Sequence, residues 1–212
     1  MASILKVDTI QDQSGNNIIN ESGDTITIGA SGDTVNVVGT LQNNGNNAVG
    51  ITMADQWRLS ATYSYSGGQA DVDLTSNWER VDTDGFGQIG TGMTEISGIF
   101  TFPSTGIYLI TFTFFADNTA ATGNNRFVGG DIRATENNST YDAAAQIYSN
   151  IPAAAMAKDA FTNGSMLHIF DVTNVTTHKV KFAVTANLNS TNFIGSTSTT
   201  YTSASFIRLG DT

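Results

Sequence analysis

Side chains able to do acid–base or metal chemistry are scarce in this chain. Its 212 residues hold two histidines, His168 and His178, no cysteine, and 19 carboxylates against 9 Lys and Arg. A zinc site draws three or four ligands from Cys, His and carboxylates, and two separated histidines do not supply it. His168 lies inside an apolar stretch and His178 opens another, positions that suit a core or surface imidazole better than a catalyst. Acidic pairs stand at Asp71/Asp73 and Asp82/Asp84. Two carboxylates facing each other across a groove could cleave a glycoside. The run Asp82-Thr83-Asp84-Gly85 has the start of a calcium loop but lacks its closing glutamate. Both pairs read first as solvated turns. Gly85-Phe86-Gly87-Gln88-Ile89-Gly90 has the spacing of a phosphate-binding loop without a strand before it and a helix after it. No Gly-x-Ser-x-Gly elbow occurs. The expectation is therefore no catalytic residue, no metal and no cofactor.

What remains is a framework problem. Thr, Asn, Ser and Gly occupy 89 of the 212 positions, and only 13% of the chain is charged. Thr favours strands, and Asn, Gly and Ser favour turns, so the chain is expected to be all-β. The charge is −10, which argues against nucleic acid as a partner because phosphate recognition needs a basic footprint. The longest near-apolar run, 106–116, is too short for a membrane-spanning helix. The opening Met1-Ala2-Ser3-Ile4-Leu5-Lys6 lacks the apolar core of a signal peptide. The expectation is a protein with no membrane partner, made in a cytoplasm without export.

The first fifty residues differ from the rest, with one Lys and no Arg, aromatic residue or Pro. Ser22-Gly23-Asp24-Thr25-Ile26-Thr27-Ile28 is echoed nine residues later by Ser31-Gly32-Asp33-Thr34-Val35-Asn36-Val37. Ser14-Gly15-Asn16-Asn17-Ile18-Ile19-Asn20 is a weaker copy. Each unit joins a tight turn to a short alternating strand. So few units make too thin a sheet to hide an apolar face. Threefold wrapping would place Ile26, Ile28, Val35 and Val37 on a shared axis; an ordinary meander packed on the next domain is the alternative. Residues 1–50 thus read as a β-repeat stalk, with an Asn- and Gly-rich junction over 40–50. The segment 52–59 is the one plausible short helix or adaptor, anchored by Trp57.

Residues 51–212 read as a head of short strands, expected at 57–65, 78–81, 98–102, 106–115, 127–133, 141–148, 165–172, 179–187 and 200–209. Such spacing argues for a sandwich or barrel. The Ala-rich piece 151–161 reads as a connecting loop. Along 106–115, Tyr108, Ile110, Phe112 and Phe114 share one face, and Ile107 and Leu109 start the other. A strand apolar on both faces is central or covered by a partner, which makes Tyr108, Phe112 and Phe114 candidates for a trimer core. Tyr63, Tyr65 and Tyr141 are candidate surface-binding aromatics.

The run Gly98-Ile99-Phe100-Thr101-Phe102-Pro103-Ser104-Thr105-Gly106-Ile107-Tyr108 resembles the signature of complement-type and tumour-necrosis-factor-type heads, a Gly-x-Phe-x-x-Pro strand running into a Gly-x-Tyr strand. The closing segment 201–209 resembles that family's last strand, although Ala204 and Ser205 stand where members often carry Gly. The resemblance implies an antiparallel jelly roll assembled as a threefold homotrimer. The N-terminal pattern, from Ser3-Ile4-Leu5-Lys6-Val7-Asp8 through the Ser-Gly-Asp repeats, resembles shafts of tailed-bacteriophage fibre proteins. It implies a non-enzymatic virion component, a short fibre or a decoration protein on capsid or tail. Other virion proteins would be its partners through residues 1–50. A receptor- or glycan-binding fibre tip is the alternative, and a polysaccharide depolymerase the third reading.

Overall fold

The computed structural model describes residues 9–11, 13–15, 17–22, 25–28, 31–38, 41–43, 46–47, 50–118, 125–151 and 160–212. The chain divides into two units, Met1–Gly50 and Ile51–Thr212. All regular structure among the described residues is β. The opening 1–8 and most of the expected 151–161 loop lie outside the described residues.

In the first unit, β1 (Thr9–Gln11), β2 (Asn17–Ser22) and β3 (Thr25–Ile28) form an antiparallel sheet, and β4 (Gln42–Asn43) pairs with β5 (Asn46–Asn47). Gly15 and Gly32 take positive φ at the repeat turns. Register aligns Ile10 with Ile19 and Ile19 with Ile28, one apolar row across three strands. All three side chains are exposed. The expected strand over Val35 and Val37 is not formed within one chain, where residues 33–37 carry no ladder.

The second unit holds β6 (Ala54–Leu59), β7 (Ala61–Ser64), β8 (Val72–Asp73), β9 (Trp78–Arg80), β10 (Thr94–Ile96), β11 (Ile99–Thr101), β12 (Gly106–Asn118), β13 (Asn125–Thr135), β14 (Asp142–Ile151), β15 (Ala160–Val172), β16 (Lys179–Ala186), β17 (Thr191–Ser196) and β18 (Ser203–Gly210). The segment 52–59, expected as a short helix or adaptor with a strand beginning only at 57, is strand β6 over Ala54–Leu59. Its inward side chains, Asp55 and Trp57, alternate with Ala54 and Gln56, a period of two that only a strand satisfies. Strands β8, β10 and β17 lie at positions with no expected strand.

Eight of these strands pair in a nested order: β6 with β18, β11 with β16, β12 with β15, and β13 with β14. First pairs with last and the two middle strands with each other, which is the winding of a jelly roll. One sheet runs β15-β12-β18-β6 and the other β11-β16-β13-β14. Between them lies an aromatic core. Trp78 and Trp57 meet Phe100 edge-on at 5.2 and 5.5 Å, and Phe112 stacks on Phe182 at 4.9 Å.

The turn before β12 demands glycine. Gly106 has φ 146°, and a Cβ there would come within 2.5 Å of Arg208 Nε and 2.6 Å of the Gly210 carbonyl oxygen. Tyr108 locks the turn from inside by donating its hydroxyl to the Ser104 carbonyl at 2.9 Å.

Candidate functional site

The sheet β15-β12-β18-β6 presents two faces of different kinds. Tyr108, Phe112 and Phe114 point into the sandwich and are wholly buried within one chain. This corrects their assignment as trimer-core residues, since a side chain already packed in its own core has no surface to offer a partner. The alternate residues of β12 point the other way. Leu109 lies in register with Ile169 of β15 and Ile207 of β18. Thr111 lies between Leu167 and Ser205. At the far end Phe115 stacks on Phe161 at 5.5 Å and on Tyr201 at 5.4 Å, a ladder of three parallel rings.

Between the aliphatic end and the aromatic end runs a hydroxyl belt. Thr113 donates to Ser165 at 2.9 Å, and Gln56 donates to Ser205 at 3.2 Å. Leu167, Ile169, Phe161 and Leu209 are each more than half exposed. Scattered apolar residues on a surface are ordinary, whereas a contiguous face of this kind marks an interaction site. The sequence pointed to Tyr108, Phe112 and Phe114 of β12, and the exposed apolar residues stand on the opposite face of that sheet. The period-two pattern of β15 (Phe161, Leu167 and Ile169 alternating with Gly164, Met166 and Phe170) was the signal for the second face.

The stalk candidates behave differently. Ile26, Ile28, Val35 and Val37 are all exposed within a single chain.

The three candidate aromatics do not share a surface. Tyr65 is buried, donating its hydroxyl to the Ala70 carbonyl at 2.7 Å, which removes it as a surface residue. Tyr63 is half-buried on β7, and Tyr141 is half-buried beneath the Lys181 ammonium at 4.1 Å.

Three of the four acids in these pairs meet cations of the chain itself, and Asp84 accepts the Thr83 hydroxyl instead. Asp82 accepts Arg58 Nη2 at 2.9 Å. Asp71 accepts Arg133 at 2.9 Å, and Asp73 accepts Lys181 at 3.2 Å. His178 is buried, its ring stacked on Phe170 and flanked by the hydroxyls of Thr173 and Thr177. Burial holds the half-buried His168 below its usual pKa. No group of three His, Cys, Asp or Glu among the described residues is placed to hold a metal ion. Gly85 and Gly90 take positive φ in an irregular loop, and no helix follows to receive a phosphate.

No protein-family model matches this chain, and no curated protein matches it. Solved structures do. Eiger, a tumour-necrosis-factor protein from S. frugiperda, superposes with a TM-score of 0.51 at 9% identity, over 76% of this chain and 95% of that one. Murine APRIL at pH 5.0 gives 0.48 at 13% identity, over 74% and 98%. The PRD1 vertex protein P5 gives 0.40 at 20% identity, over 76% and 99%. The second unit is thus a jelly roll with the fold of Eiger, and at 9% identity the likeness is one of fold.

Proposed function

We propose that this chain is a non-enzymatic structural protein of a bacteriophage particle, a short fibre or decoration protein that assembles as a homotrimer. The observation that carries the reading is the uncovered apolar face of β15-β12-β18-β6. A second and third copy of the same chain are its occupants, because each would bring an identical aliphatic end, hydroxyl belt and aromatic ladder to be buried. Burying one Leu or Ile side chain is worth about 1.5–3 kcal/mol. Ile10, Ile19, Ile26 and Ile28 ask for the same solution, since their three-stranded sheet leaves them in water. Residues 1–50 are then the stalk that docks on the capsid or tail, and residues 51–212 the projecting head.

The test is the native mass of the full chain by light scattering, alone and with Leu167→Asp and Ile169→Asp combined. A trimer that falls to a folded monomer in the variant supports the reading. A wild-type monomer at micromolar concentration overturns it. Particle attachment is tested by adding residues 51–212 to particles lacking the protein; retained attachment would assign docking to the head.

A further inference from the structure

The other sheet of the head carries a built hollow on its outward face. Its floor forms where β13, β14 and β16 meet. Gly129 is in register with Tyr148 on one side and Thr185 on the other. A Cβ at Gly129 would come within 2.7 Å of the Tyr148 ring, so the missing side chain lets that ring lean over the strand. Phe127 meets Tyr148 edge-on at 6.0 Å, giving the hollow two aromatic walls. Gln69, Ala70 and Asp71 form the opposite rim, and Thr185 hydrogen-bonds the Gln69 carbonyl from below at 3.4 Å. Gln69 holds φ 79°, a left-handed conformation unusual for a residue with a side chain. The volume is about 520 Å³, within the range of small-molecule sites.

A layer beneath fixes the rim acid. Asp131 is buried and accepts Gln146 at 2.8 Å and Arg133 Nη2 at 3.0 Å. The same Arg133 nitrogen reaches Asp71 Oδ2 at 2.9 Å. Asp71 is thereby oriented through Arg133 by a buried carboxylate, while its Oδ1 has no hydrogen-bond partner among the described residues. Arg133 supplies the cation that the buried Asp131 requires, and its reach to Asp71 fixes that acid at the rim of the hollow.

We infer that this hollow is a binding site for an uncharged pyranose, the terminal sugar of a neutral glycan. An exposed tyrosine ring suits the apolar C–H face of such a sugar, because an aromatic body with a polar tip serves both parts of it. The Asp71 carboxylate can accept from, and the Gln69 amide can both accept from and donate to, the hydroxyls around its edge. The charge balance selects against acidic sugars. Asp71, Asp73 and Asp131 outnumber Arg133 and Lys181 on this face, and the whole chain carries −10. Burial and the neighbouring Asp131 raise the pKa of Asp71 against the opposing pull of Arg133. The hollow faces away from the sheet proposed for assembly, so it stays open in the oligomer and does not depend on that reading.

The test is saturation-transfer NMR on the full chain with the methyl glycosides of glucose, galactose, mannose and N-acetylglucosamine, and with N-acetylneuraminic acid. At least one neutral glycoside should receive saturation on its ring C–H protons, and the sialic acid none. Tyr148→Ala and Asp71→Ala should each weaken that binding at least tenfold with the melting temperature unchanged. Asp71→Asn should retain more binding than Asp71→Ala, because an amide oxygen still accepts. No transfer to any neutral glycoside, preference for the sialic acid, or full binding by a folded Tyr148→Ala variant would overturn the inference.

Discussion

Asp55 Oδ1 accepts Arg80 Nε at 2.9 Å, with the carboxylate wholly inside the head and the guanidinium about one-third exposed. The carboxylate also accepts Trp57 Nε1 at 2.9 Å, the Met93 N–H at 2.7 Å and the Gln56 N–H at 2.9 Å. The guanidinium lies over the Trp57 ring at 4.7 Å. One side chain thus ties β6 to β9 and to the loop entering β10.

The two partners of that pair are unequal. Removing Asp55 strands the donors of Trp57 and Met93 in the interior, and each buried donor left unsatisfied costs about 1–3 kcal/mol. Removing Arg80 leaves a carboxylate that still holds three N–H donors. In urea unfolding, Asp55→Ala should therefore lose more stability than Arg80→Ala. Equal losses, or the reverse order, would mean that the ion pair rather than the N–H donors holds the acid.

Phe114 occupies space that two glycines leave for it. A Cβ at Gly164 would lie 2.6 Å from its ring, and one at Gly130 would lie 3.0 Å away. The ring is wholly buried and has nowhere to retreat. Overpacking of this kind costs about 1–3 kcal/mol, so Gly164→Ala should lower the melting temperature. Adding Phe114→Leu to that variant should recover part of the loss. Additive losses in the double variant would show that the Gly164 site is tight for another reason.

The all-β framework was legible because composition and periodicity report on backbone and burial directly. The jelly roll was expected only through the resemblance carried by Phe100, Pro103, Gly106 and Tyr108, where turn chemistry and core packing constrain the same few residues. Strands β8 and β10 were not legible, since two or three residues of a short strand carry no period, and β17 lies in a run of Thr, Asn, Gly and Ser that reads as turn. Trp57 misled for a different reason. It follows an Asn- and Gly-rich junction and was expected both to anchor a short helix or adaptor and to open a strand, and register with Ala204 of β18 decides for the strand. The outward face of β12 was half-legible: Ile107 and Leu109 announced it, but Thr111 and Thr113 disguised it as an ordinary polar side. The hollow was invisible because Tyr148, Gly129 and Asp71 are brought together by sheet register and by a loop; Asp71 stood out only as half of an acidic pair, and Tyr148 and Gly129 do not stand out in their own segments.

His168 sets a pH dependence. Burial lowers its pKa from the ordinary value of 6.5, although Glu136, Asp142 and Asp171 line the same groove. Below that ordinary value the unfolded chain binds the proton more readily than the folded one, so stability falls as pH drops through 6.5 and toward the lower folded value. Melting temperatures between pH 7.5 and pH 5 should decline more steeply for the natural chain than for His168→Gln. Parallel curves would assign the acid sensitivity to other groups.

The stalk prediction separates the two units. Ile26 and Ile28 share one face of β3, and Ile28 continues the row of Ile10 and Ile19. In one chain that row faces water, so a charge placed there costs a monomer little. In a threefold assembly the same charges would be tripled on a shared axis, where unpaired buried charge is strongly unfavourable. On the proposed trimer, Ile26→Asp with Ile28→Asp should therefore leave the melting transition of residues 51–212 in place while making residues 1–50 sensitive to limited proteolysis. The unsubstituted chain, if it forms the proposed trimer, should resist cleavage there. Protease resistance that is unchanged in the variant would remove the row from the axis and leave these isoleucines as the surface of an independent small sheet.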